Sequence, residues 1–247
     1  MTVVEQLHPI RVPELGPSLG KLVAGVERPT RWIPLDTIRY ELATRIIERA
    51  GEARQMAAAG DRSSALAALS GTTWREAWDE AVASVADTLV DKASAQLEAE
   101  AIAVKMGKRR RAKLRVDDAA RRALTARLGA TGAALVPALD AIDRCVPPVL
   151  AASSTEPEAI EAWQNAQRLA ARRMESAWLA LEVAVEAEMP QWQALMDRVA
   201  RWRKPLWPVV LVAAPALAVA VWLGLVFGGY LEPPDWFERI WSQVARP

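Results

Sequence analysis

Apolar residues fall at three- and four-residue steps through a succession of segments separated by Gly, Pro and Asp, the period of amphipathic helices. Asp36 is a good N-cap, and Ile38, Leu42, Ile46, Ala50, Ala53 and Met56 follow as one stripe until Gly60, which predicts a helix with one buried face. Asp61 to Ser70 offers a short Ala/Leu helix ended by Gly71. Thr73 to Glu76 reads as a capping box, and Trp74, Trp78, Val82, Val85, Leu89, Ala93 and Leu97 carry an apolar seam to about Met106. Asp117 can cap a further helix bearing Ala120, Leu124 and Leu128, loosened at Gly129 and Gly132. Another, from about Ala133 to Cys145, presents Leu135, Leu139 and Ile142 and is stopped by Pro147-Pro148. After the linker-like stretch Ala-Ala-Ser-Ser-Thr-Glu-Pro, a capping box at Thr155 to Glu158 opens a second long helix, expected to end near Glu188. Its seam is Ile160, Trp163, Leu169, Ala170, Met174, Ala177, Trp178, Leu181 and Val185. The expectation is an all-α bundle over residues 36–189, with the two long seams paired antiparallel and the shorter helices packed around them. Residues 1–35, punctuated by Pro9, Pro13, Pro17, Pro29 and Pro34, read as an extended arm or loop with room for only a short helical piece around Lys21–Val26.

The strongest single pattern lies near the C-terminus. Residues 205–231 contain no charged side chain, and as a helix they exceed the roughly 30 Å hydrocarbon core of a bilayer. They are expected to form a single C-terminal transmembrane helix, bent or supported at Pro215. Pro190 is expected to break the chain before a juxtamembrane amphipathic helix over 190–204, and residues 232–247 to lie on the far interface as an amphipathic tail. Trp192, Trp202, Trp207, Tyr230, Trp236 and Trp241 are the expected interfacial anchors. Within the span, Ala216, Ala220, Gly224 and Gly228 recur every four residues and form a small-residue ridge suited to close helix contact. Arg198, Arg201, Arg203 and Lys204 crowd the N-terminal flank, which by the positive-inside rule is cytoplasmic. The first twenty residues show no charged n-region followed by an apolar run, so no cleavable signal is expected. The localisation expected is therefore the inner membrane, single-pass, with the bulk of the chain cytoplasmic and the C-terminus outside.

Composition narrows the chemistry. Eleven Trp accompany only two Phe and two Tyr, so strand-forming aromatics are scarce and helix formers abundant. One Cys, Cys145, closes no intramolecular disulfide; one His, His8, supports neither a His-rich metal site nor a histidine relay. No phosphate-binding Gly loop, Gly-x-Ser-x-Gly elbow, His-Glu-x-x-His or Cys-x-x-Cys occurs. No catalytic, cofactor-binding or metal-ligating set is assigned, and the expectation is a protein that is not an enzyme and carries no cofactor or small-molecule substrate. With 31 Lys+Arg against 30 Asp+Glu, the net charge of +1 gives no general basic field. The dense exception is Lys105, Lys108, Arg109, Arg110, Arg111, Lys113 and Arg115, which suits a solvated loop, an anionic leaflet or an acidic partner. Nucleic acid ranks last, because no aromatic interleaves these cations.

The function expected from these features is a non-catalytic, membrane-anchored adaptor or structural subunit of an inner-membrane assembly, a scaffold whose partners are membrane lipid and other protein chains or itself. The alternative is a membrane-perturbing effector that homo-oligomerises through its transmembrane helix.

Overall fold

A computed structural model describes residues 10–23, 33–114, 116–152, 156–202 and 207–229, with 231, 232, 234, 235 and 239, and the side chains of the last helix from residue 213 on. Among the described residues the regular structure is helical, without strands. Helices α1 (Gly16–Val23), α2 (Leu35–Ala58), α3 (Arg62–Ala68) and α4 (Gly71–Ala103) are followed by α5 (Lys108–Ala112) and α6 (Asp118–Gly129). A 3₁₀ turn at Ala130–Ala134, then α7 (Val136–Ala151), α8 (Pro157–Arg201) and α9 (Trp207–Phe227) complete the order. Two compact units result, Met1–Val199 and Ala200–Pro247.

The boundaries follow from capping chemistry. Asp61 Oδ1 accepts from the Ser64 amide at 3.0 Å and Asp117 Oδ1 from the Ala120 amide at 2.7 Å, each satisfying an orphan N–H of a first turn. The cap of α4 differs from expectation: it is Ser70, whose Oγ accepts from the Thr73 amide at 3.4 Å, so Thr73 lies one turn inside the helix. The Gly71 amide donates to Asp143 Oδ1 of α7 at 2.8 Å, so a second helix also caps α4. Helix α2 ends at Gly60, whose φ of 86° lets the Asp61 amide reach back to the Met56 carbonyl.

The first unit is built on the two long helices, α4 with 33 residues and α8 with 45. Trp74, Trp163 and Trp178 are fully buried, and Trp78 meets Trp178 edge-to-face with ring centroids 6.4 Å apart. Each buried indole removes on the order of 150–250 Å² from water, several kcal/mol at about 25 cal/mol per Å². The seams expected on α2, α4 and α8 are the buried ones, except that Leu169 is exposed and Ile160 and Met56 are only partly buried.

The antiparallel pairing is corrected. Trp74 near the start of α4 hydrogen-bonds Gln167 in the first half of α8, whereas Leu97 and Ala101 near the end of α4 cluster with Met196 and Val199 near the end of α8. The two long helices therefore run parallel. The cause is the return leg between them. Helix α6 starts beside the second half of α4, where Arg121 pairs with Asp87 and Asp91. The chain then climbs through Gly132, against Trp78, and through α7, where Asp140 pairs with Arg75, to Asp143 at Gly71. Helix α8 thus begins level with the start of α4.

Three further differences have the same origin, tertiary burial outweighing a local breaker. The segment expected as an extended arm carries α1, and Ile10, Leu15, Leu19, Leu22 and Leu35 are buried; residues 1–9 and 24–32 lie outside the described residues. Helix α7 continues through Pro147 and Pro148, with Val149 buried beyond them. Helix α8 continues through Pro190, so the expected separate juxtamembrane helix is its last turns, held by the packing of Trp192, Leu195, Met196 and Val199 on α4.

In the second unit α9 runs through Pro215 and is closed by Gly229 at φ 73°. Its fully described part, 213–227, amounts to about 22 Å of helix. Among the described residues no helix is long and apolar enough to cross a membrane, so they do not show the transmembrane helix expected over 205–231; residues 205, 206 and 230 and the side chains of 207–212 lie outside them. The tail over 232–247 lies almost wholly outside the described residues.

Candidate functional site

The densest charge of the chain is organised by the end of α4. The Met106 amide donates to the Ala101 carbonyl and the Lys105 amide to that of Ile102, both at 2.9 Å, a Schellman closure that reverses the chain. It requires Lys105 at φ 54°, the left-handed region that glycine occupies without cost and other residues seldom adopt. Gly107 then starts α5, a short basic turn from Lys108 to Ala112. Beneath the cations, Val104, Met106 and Leu114 pack on Leu97, Ala101, Met196 and Val199, so an apolar underside fastens the basic turn to the ends of both long helices. Lys105, Lys108, Arg109, Arg110 and Lys113 are exposed and Arg111 half-buried, its Nε enclosed and without a hydrogen bond. Lys108 and Arg111 face a groove of about 780 Å³ shared with Asp91, Glu98 and Arg121. Arg121 already bonds Asp87 at 2.6 Å and Asp91 at 2.9 Å, and both bonds raise its pKa above the ordinary arginine value. Arg115 lies outside the described residues.

A second groove, between α2 and α4, has a volume of about 290 Å³ and is lined by Arg45, Arg49, Glu48, Glu52, Glu76 and Glu80. Both of its arginines are paired within it, Arg45 to Glu80 and Arg49 to Glu52, which leaves Glu48 and Glu76 and a net acidic lining. Among the described residues there is no group of three or more His, Cys, Asp or Glu side chains able to hold a metal ion, and Cys145 is a half-buried free thiol. Comparison with protein families, characterised proteins and solved structures finds no match.

The remaining expected site residues are distributed as follows. Trp192 is half-buried against both hydrophobic clusters, its Nε1 enclosed, because α8 does not break at Pro190; Trp202 is 56 % exposed. Trp207's side chain, Tyr230, Trp236 and Trp241 lie outside the described residues. Ala216, Ala220 and Gly224 are exposed along α9, and a Cβ built on Gly224 would meet nothing within 4 Å; Gly228 is exposed in the turn that follows.

Two buried polar networks were not anticipated. Trp74 Nε1 donates to Gln167 Oε1 at 2.9 Å while Gln167 Nε2 donates to the Leu69 carbonyl at 2.6 Å. Arg39, buried, donates to Glu182 at 3.3 Å and to Asp36 at 2.6 Å, and Trp178 Nε1 donates to the same Glu182 oxygen at 2.9 Å. Apart from Asp36, which is exposed, the partners are enclosed between helices, so these networks chiefly tie α2, α3, α4 and α8 together. Their signal in the sequence is positional. Arg39 and Gln167 sit on the apolar stripes of their helices, where an unpartnered polar group would be costly.

Proposed function

We propose that the chain is a non-catalytic adaptor or structural subunit: a helical bundle tethered to the inner membrane by one C-terminal transmembrane helix, with the bundle on the cytoplasmic side. The observation that carries this reading is the state of α9. Leu217 is 70 % exposed and Phe227 63 %, Val219 and Val221 are exposed likewise, and the sequence from 205 to 231 offers no charge on any face. A helix of that composition in water leaves its apolar surface unburied at about 25 cal/mol per Å², so it needs lipid or protein around it. The cations at 198, 201, 203 and 204 favour the cytoplasmic side for the bundle. The exposed basic turn at the end of α4 adds a surface suited to binding a partner. The exposed ridge of Ala216, Ala220 and Gly224 supports the homo-oligomeric effector as the second reading, through close helix approach in lipid.

Gentle detergent extraction from native membranes, with native size and identification of all co-purifying chains, tests both. Distinct partners in fixed ratio are expected. Recovery in the soluble fraction without detergent would overturn the anchor, and a large assembly of this chain alone would favour the effector.

A further inference from the structure

We propose that the basic turn at Lys105–Lys113 is a binding surface for anionic lipid headgroups, a second membrane contact beside the C-terminal anchor; the proposal rests on the anchored reading above. The parallel run of α4 and α8 places this turn at the end of the bundle from which the chain departs. The turn follows the last residue of α4, and its underside packs on Met196 and Val199 of α8. From Val199 the chain reaches the charge-free stretch at Pro205 within a covalent length of about 20 Å. Had the long helices been antiparallel, the turn would stand at the far end of α4, on the order of 50 Å away.

Two features of the turn itself point to a use for its charge. Lys105 occupies the left-handed position of a Schellman closure, although the same closure at the end of α2 uses Gly60 with the same pair of backbone bonds. Non-glycine strain of this kind persists only where the surrounding structure over-determines it, and it clusters at functional sites. In addition, Lys105, Lys108, Arg109 and Lys113 make no ion pair among the described residues, while Arg45, Arg75, Arg121 and Arg127 each hold a carboxylate. Asp91 and Glu98 line the groove with Lys108 and Arg111 and offset part of their charge. Each cation brought to an anionic leaflet strengthens binding about fivefold. No aromatic side chain lies in the turn to stack a base, which disfavours nucleic acid.

The test uses the full chain reconstituted into vesicles of phosphatidylcholine alone or mixed with phosphatidylglycerol, reading lysine acylation by mass spectrometry. Lys105, Lys108 and Lys113 should react several-fold more slowly in the anionic vesicles, and high salt should remove the difference because exposed charges are screened within about 10 Å. Lys21 and Lys92, exposed on α1 and on α4, should react equally in both. The double variant Lys108→Glu/Arg109→Glu should lose the protection of Lys105. In Lys105→Gly the thermal midpoint should rise while protection of Lys108 falls, opposite movements that a purely structural lysine would not give. Equal reactivity in the two lipids overturns the proposal, as does protection by soluble polyglutamate but not by vesicles, which would assign an acidic protein. Failure of the chain to float with phosphatidylcholine vesicles tells separately against the anchor.

Discussion

Two glycines mark the closest approaches in the bundle. A Cβ at position 71 would lie 2.6 Å from Asp143 Oδ2 and 2.7 Å from the Leu139 carbonyl, and the latter is backbone of a packed helix that cannot yield. A Cβ at position 132 would drive into the Trp78 indole, which is itself held edge-on by Trp178. Gly71→Ala and Gly132→Ala should each lower stability by about 1–3 kcal/mol in urea unfolding, at unchanged m. Gly51, inside α2 with nothing within 4 Å of a Cβ, should respond with the opposite sign, gaining about 0.5–1 kcal/mol as Ala. Titration at a single residue is legible as well. The Ser64 side-chain and backbone hydrogen bonds hold the Asp61 carboxyl below its ordinary value of 3.8. A carboxyl lowered on folding contributes stability above its unfolded pKa and loses it as pH falls through the folded one. Amide exchange at Ser64, corrected for its intrinsic rate, should therefore lose protection in acid below pH 3.8 in the native protein, whereas Asp61→Asn, which keeps an uncharged cap, should show no such loss.

At the scale of elements, the helices were readable wherever large apolar residues recur at helical spacing. The stripes of Ile38, Leu42 and Ile46 and of Trp74, Trp78, Val82 and Val85 are buried as their spacing requires. Prolines were misleading because their local cost is bounded. Interior Pro costs about 3 kcal/mol, and α8 retains Pro190 because four side chains beyond it pack on α4 and its second cluster. Pro190→Ala returns an N–H to the Glu186 carbonyl but widens the unfolded ensemble, a net gain of about 2 kcal/mol that should appear as a higher thermal midpoint. The cap at Ser70 was hidden for a different reason. Thr73 and Ser70 are both good N-caps, and the choice is made by Asp143 of α7, which takes the Gly71 amide and fixes the first turn there. The basic turn was legible as a charge run, but the apolar underside that fixes it, Val104, Met106 and Leu114, belongs to no helical stripe long enough to be noticed.

For the molecule as a whole, topology decides which surfaces act together, and it was the least legible level. Helices α6 and α7 read as two short helices of no stated direction, yet joined by the turn at Ala130–Ala134 they form one return leg along α4, and that leg makes α4 and α8 parallel. Spin labels on exposed Ile102 and exposed Arg198, in a Cys145→Ser background, measure this directly. The parallel arrangement places both labels at the end where Leu97, Ala101, Met196 and Val199 cluster, so a short separation is expected. A label moved to Thr72, at the start of α4, should lie on the order of 40 Å from Arg198. If the two distances exchanged, α8 would run against α4, the basic turn would sit at the opposite end from the departing chain, and the second membrane contact would lose its geometric basis. Because both pairs share Arg198, label motion affects them alike, and their order reports the direction of α8 alone.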